Sequence, residues 1–238
     1  MKVAIVEYPG SSSFNETKRV FSELEPCETY SVWHSEESLR DPDLVVLPGG
    51  FSFGDYLRPG ALARLSPASG LVKRFASKGG KVIGIGNGFQ LLCELELLPG
   101  ALLSNSSLSF DSSEVFLRVE KTESELTVDC ERKEPIQIPI GCYFGRYWAD
   151  KRSLKELEEN GKIFLRYVNQ YGDFDPDNPY NDSAKGIAGI LSRHGNVLGM
   201  MPHPERAFDS YHVSSAGRDL LKKVISNIQG SGSSGLEA

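Results

Sequence analysis

Several things are scarce in this sequence, and each scarcity closes off a class of protein. Its 238 residues include only four cysteines (Cys27, Cys93, Cys130, Cys142), with no CxxC pair and no regular spacing. That excludes a disulfide framework and a cysteine-based zinc site, so the four are expected as free thiols and no metal is indicated. No apolar run approaches the roughly 20 residues that a membrane helix needs. Met1-Lys2 leads straight into Val3-Ala4-Ile5-Val6 without the long apolar core of a secretory signal, so a cytoplasmic protein with no membrane contact is expected. Neither charge dominates in any region: 32 acidic and 26 basic residues are interspersed, for a net charge of −6. A nucleic-acid footprint is therefore not expected, and a small polar ligand or a protein partner is. Long low-complexity runs are absent too, except that residues 230–238 form a Gly/Ser stretch ending in Leu-Glu-Ala. This stretch reads as a flexible linker or tag remnant, leaving residues 1–229 as one folded domain.

What is present is an α/β pattern. Short β-branched runs at 2–8, 28–33, 44–47 and 81–85 alternate with helical spacing at 15–24 and 67–77, as in a parallel sheet with helices on its faces. From residue 114 onward the strand candidates crowd together, at 114–121, 126–129, 136–140, 163–168, 187–191 and 197–200. The later sheet is thus expected to be mixed. Arg193-His194-Gly195-Asn196 reads as a hairpin turn in which Gly195 and Asn196 both tolerate positive φ. Residues 171–183 read as a long exposed loop, and a helix over 214–228 closes the domain.

Ligands bind at the carboxyl ends of parallel strands, which singles out three loops. In the first, Val82-Ile83-Gly84-Ile85 runs into Gly86-Asn87-Gly88-Phe89-Gln90 and then a helix extending to Leu97. That is the layout of a nucleophile elbow, whose helix-start N–H groups suit an oxyanion; on these residues alone a glycine-rich turn without chemistry fits as well. In the second, Leu47-Pro48 ends in Gly49-Gly50 and an aromatic, acidic loop; its paired amides could meet a developing negative charge, although a plain tight turn explains it equally. In the third, Met201-Pro202-His203-Pro204-Glu205-Arg206 follows a strand. Two prolines stiffen it and set a His and a Glu two residues apart, a spacing at which the carboxyl can orient the imidazole as general base.

Taken in order, these loops resemble the class I glutamine amidotransferases, and within them the glutaminase subunits of phosphoribosylformylglycinamidine synthase. The resemblance runs from about Val3 to Ile228 and is carried by Pro48-Gly49-Gly50-Phe51-Ser52-Phe53-Gly54-Asp55-Tyr56-Leu57-Arg58, Asn87-Gly88-Phe89-Gln90, Leu97-Leu98-Pro99-Gly100-Ala101 and Gly195-Asn196-Val197-Leu198-Gly199-Met200-Met201-Pro202-His203-Pro204-Glu205-Arg206. It implies a flavodoxin-like sheet, mostly parallel with antiparallel additions and helices on both faces. It further implies a subunit of purine biosynthesis that hydrolyses glutamine and passes ammonia to a large synthetase subunit. His203 would be the base and Glu205 its orienting acid; Gly49, Gly50 and Asn87 would supply oxyanion and substrate contacts, and Gln90 would line the pocket. No cofactor is implied for this subunit, since ATP and Mg would belong to the synthetase.

The same resemblance exposes departures. The family's elbow carries cysteine where this sequence has Gly86, so the nucleophile position holds no nucleophile. The family's His-Gly-Glu-Gly stretch reads Cys142-Tyr143-Phe144-Gly145, its Ser-Asn-Cys-Asp reads Ser12-Ser13-Phe14-Asn15, and Pro59 replaces another frequent cysteine. The leading expectation is a member that keeps the scaffold and has lost glutamine hydrolysis, acting as a binding subunit. The alternatives are a working hydrolase, with Cys142 as a relocated nucleophile or with substrate-assisted chemistry at His203, and an engineered variant. Cys93, among Leu91, Leu92 and Leu95, is expected in the core.

Overall fold

A computed structural model describes residues 1–132 and 134–233. The buried runs of the first half become strands β1 (Lys2–Glu7), β2 (Glu28–Trp33), β3 (Leu44–Leu47) and β4 (Lys81–Ile85), with helices α1 (Phe14–Glu23), α2 (Pro67–Ser77) and α3 (Asn87–Glu94) between or after them. Val3 to Val6 and Leu44 to Leu47 are fully shielded from solvent, as expected where both faces of a parallel sheet are covered. Helix α1 buries Phe14, Thr17, Val20 and Phe21, the stripe that a 3.6-residue period brings to one face. Next come β5 (Ala101–Leu103), β6 (Asp111–Val119), β7 (Ile136–Cys142), β8 (Arg146–Trp148), α4 (Lys151–Glu159), β9 (Ile163–Val168), β10 (Ile187–Leu191), β11 (Val197–Met200) and α5 (Ala216–Ser233).

Nine strands form one sheet in the order β2-β1-β3-β4-β11-β10-β9-β6-β7, while β5 and β8 pair separately. The five from β2 to β11 are mutually parallel and the remaining pairings are antiparallel. Four reversals follow one another from β11 to β7, so β9 and β7 again point the way of the parallel set, and only β10 and β6 oppose it. The carboxyl ends of β1, β3, β4, β11, β9 and β7 therefore share one edge of the sheet. The loops leading into β10 and β6 reach that same edge, so every segment that matters below meets there.

Some sequence expectations need correction. Residues 126–129 form a turn, not a strand: the Ser124 hydroxyl takes the Leu126 N–H, and the Thr127 and Val128 amides fold back onto Ser124 O. Local side-chain bonding of this kind competes with a ladder and wins here. Helix α3 ends at Glu94 rather than Leu97. Helix α4 and the β5-β8 pair were not anticipated, because α4 is apolar only at Leu154 and Leu157 and the two strands are three residues long. Helix α4 is started by Asp150, whose carboxylate accepts from the Arg152 and Ser153 amides. In the 193–196 hairpin only Gly195 takes positive φ; Asn196 contributes its side chain, which donates to Ala76 O and Gly80 O and ties the turn to the end of α2. Helix α5 runs to Ser233, so residues 230–233 of the expected linker continue a helix already nucleated by packed turns, while 234–238 lie outside the described residues.

Candidate functional site

Strand β4 ends at Gly86, where the backbone turns at φ +53° and ψ −111° into α3. Side-chain-bearing residues rarely adopt this conformation. The Gly86 amide donates to Met200 O on neighbouring β11 at 2.8 Å, and its carbonyl accepts from the Phe89 and Gln90 amides, so strand, turn and helix are locked without a spacer. The Asn87 and Gly88 amides fall in the first helical turn, where no intrahelical acceptor exists.

Because β11 lies beside β4, the chain leaving β11 delivers His203 onto this turn. His203 and Glu205 are almost completely buried, at 2% and 0% exposure, and His203 Nδ1 lies 2.7 Å from Glu205 Oε1. The His203 amide donates to Pro139 O of β7, which sets the height of the ring. With Nδ1 engaged, Nε2 is the nitrogen turned toward Gly86: a Cβ at Gly86 would lie 3.0 Å from both Cε1 and Nε2. On the other side, a Cβ at Gly49 would lie 2.5 Å from Cε1, so the ring needs the absence of a side chain there. Glu205 Oε2 is buried without a hydrogen-bond partner among the described residues. Arg206 ties the same loop to α1 through Ser13 and Glu16.

The loop after β3 closes the third side. Gly50 lines the cavity at φ +139°, and Phe53, Gly54 and Asp55 follow at φ between 54° and 79°. The Ser52 amide donates to Asn87 Oδ1 (3.0 Å), Asn87 Nδ2 to Gln90 Oε1 (2.8 Å) and Gln90 Nε2 to Phe144 O (2.7 Å). One relay thus crosses from the β3 loop through α3 to the segment after β7. Asp55 borders the cavity half-buried, with Oδ1 unpartnered among the described residues, and burial pushes its carboxyl up to about 6. Its burial was not legible in the sequence, since nothing local announces the run of positive φ from Phe53 to Asp55.

The structure thus brings together Gly49, Gly50, Gly86, Asn87, Gln90, His203 and Glu205. The room between them is small: the cavity bounded by Gly50, Asn87, Gln90, Cys142, Phe144 and His203 holds about 10 Å³, the space of about one water. Cys142 is on its wall, but burial pushes that thiol up to about 12, so at neutral pH it keeps its proton. Cys93, expected in the core, is instead half-buried and packs against the core's edge. A broader groove of about 1360 Å³ lies elsewhere, between the 96–100 loop and α4; its lining mixes Arg152, Glu156, Lys162 and Arg193 without a buried reactive pair. Among the described residues no group of three or more His, Cys, Asp or Glu is arranged to hold a metal, and no helix is long and apolar enough to cross a membrane.

An elbow turn, paired glycines and a buried His-Glu pair at the carboxyl edge of a mostly parallel sheet define an amidotransferase scaffold, and comparison with known proteins agrees. Residues 1–229 match the CobB/CobQ-like glutamine amidotransferase domain. More narrowly, the chain is 45% identical over 227 residues to the phosphoribosylformylglycinamidine synthase subunit PurQ of Gloeobacter violaceus, covering 95% of this chain and 98% of that protein. It is 44% identical to the PurQ subunit of Aquifex aeolicus, covering 95% and 100%. A chain in the structure of PurLQS from Thermotoga maritima superposes with a TM-score of 0.81 at 36% identity, over 97% of this chain and 98% of that one. The chain belongs to the glutamine amidotransferase family and, within it, to the PurQ subunits of phosphoribosylformylglycinamidine synthase.

Proposed function

We propose that this chain is a glutaminase-type subunit of phosphoribosylformylglycinamidine synthase that keeps the amidotransferase scaffold and its place beside the large synthetase subunit but does not hydrolyse glutamine. One observation carries the reading. The elbow presents Gly86 to His203 at a distance where a side chain would be in hydrogen-bond reach of Nε2, and there is no side chain.

Hydrolysis at such a site runs through a thiolate that attacks the glutamine carboxamide. The amide nitrogen leaves as ammonia with a proton from the imidazole, and water then cleaves the thioester. His203 would move the proton, Glu205 would hold the ring, and the Gly50 and Asn87 amides would meet the oxyanion. Without the nucleophile these groups have no covalent step to serve. Triads stripped of their nucleophile fall by about six orders of magnitude. ATP and Mg chemistry would belong to the synthetase, as would the use of free ammonia. Cys142 is the rival nucleophile because it borders the same cavity, but its buried, protonated thiol argues against it.

The test is the reconstituted complex with the large subunit. Synthesis is expected from ammonium and ATP, with glutamine-driven synthesis about six orders of magnitude below that of an intact triad enzyme. Glutamine-driven turnover that disappears in Cys142→Ala would overturn the proposal.

A further inference from the structure

We infer that Asn105 is a latch that holds the 142–145 segment shut over the His203 cavity, with Asn181 as the grip by which the latch is released. Asn105 is buried, at 1% exposure, and makes six hydrogen bonds, one of them from the Leu108 amide to its carbonyl. Its amide donates to Tyr143 O (2.8 Å), and its Nδ2 donates to Cys142 O and Ser109 O (2.9 Å each). Its Oδ1 accepts from the Gly145 amide (3.0 Å) and from Asn181 Nδ2 (2.9 Å). That exhausts both donors and both lone pairs of the side-chain amide, and a fully satisfied buried polar group specifies one geometry. Gln90 supplies the remaining tie, to Phe144 O. Four consecutive residues of the wall are thereby each fixed by a backbone group.

The wall is also folded tightly on itself. A Cβ on Gly145 would lie 2.3 Å from Cys142 Sγ, 3.3 Å from Asn105 Oδ1 and 3.5 Å from Asn181 Nδ2. The wall can retreat only by breaking the Asn105 set, and until it does the cavity keeps its space for about one water, far too little for a free amino acid. Asn181 is the member of the set that belongs to the exposed loop after β9, where its Oδ1 also takes the Ser106 amide. Release therefore starts from that loop. Only the consequence of closure, exclusion of glutamine, rests on the proposed function; the latch is tested without glutamine.

Cys142 reports on the latch. In the full chain, alkylation by iodoacetamide followed residue by residue with mass spectrometry is expected to modify Cys142 more slowly than half-buried Cys27. Asn181→Ala removes one bond of the Asn105 set, together with the tie to Ser106, and should raise the Cys142 rate by up to roughly tenfold; Asn105→Ala should raise it by roughly a hundredfold or more, with Cys93 and Cys130 unchanged. If Asn105→Ala instead unfolds, Cys93 and Cys130 accelerate with it and Asn181→Ala decides. A Cys142 rate unmoved in a folded variant, or as fast as that of Cys27 in the unaltered chain, overturns the latch. Calorimetric titration of glutamine into the unaltered chain is expected to be flat. Binding there would overturn closure while leaving the missing nucleophile at Gly86 as it stands.

Discussion

The two walls of the cavity differ in how they are held. The wall from β4 and β11 is built on backbone strain and a buried side-chain pair, with Gly86 at φ +53° and His203 bonded to Glu205. It leaves Nε2 facing the cavity with no side chain opposite. The wall from β7 carries no reactive pair, and its polar backbone groups are tied to Asn105 and Gln90. One wall sets a buried His-Glu pair against a glycine turn, and the other closes on it until space for about one water is left between them. Positioning and access are therefore separable properties here, and they rest on different residues.

The comparison can be pressed hardest at His203. Among the described residues His203 is the only hydrogen-bond partner of the Glu205 carboxyl, so His203→Ala leaves that carboxyl buried and unpaired, a loss expected to cost about 3 kcal/mol or more in urea unfolding. A change below 1 kcal/mol would mean that the pair is not a structural element of the first wall. Gly86→Cys sharpens the same contrast more gently. A side chain at that φ/ψ stores about 1–3 kcal/mol and presses His203 aside by a few tenths of an ångström, so the melting temperature should fall by roughly 2–10 °C. An unchanged or raised melting temperature would remove strain from the description of the elbow.

The smallest effect concerns Asp55, between the two walls. Its carboxyl is pushed from 3.8 in the unfolded chain to about 6 by burial, so the folded protein binds the proton more tightly. Between those values the unfolded state holds fewer protons, and stability falls as pH rises from about 4 to 6. Asp55→Asn should flatten that part of the melting-temperature profile and stabilise modestly at pH 7. A profile identical to the unaltered chain would place Asp55 in water rather than against the cavity.

The first wall was largely legible in the sequence and the second was not. Buried runs such as Val3–Val6 and Leu44–Leu47 announce parallel strands because both faces must be apolar, and Gly86, His203 and Glu205 stand where a strand runs out. Asn105 gives no such signal: it sits in a Ser-rich stretch with no period and becomes a latch only when the segments holding residues 142–145 and 181 arrive beside it. The 126–129 turn was misread for a related reason, since a hydroxyl competing for backbone amides leaves no trace in hydrophobic alternation.

The sequence by itself determined the local geometries: the glycine elbow after β4, the proline-stiffened His-x-Glu loop and the helix starts, each dictated by residue types a few positions apart. Only the tertiary structure decided that β11 inserts beside β4, which places His203 against Gly86 across more than a hundred residues of chain, and that β7 points the same way, which brings the 142–145 wall over them both. Strand order is settled by burial of the whole sheet at once, and no short stretch of chain carries that information.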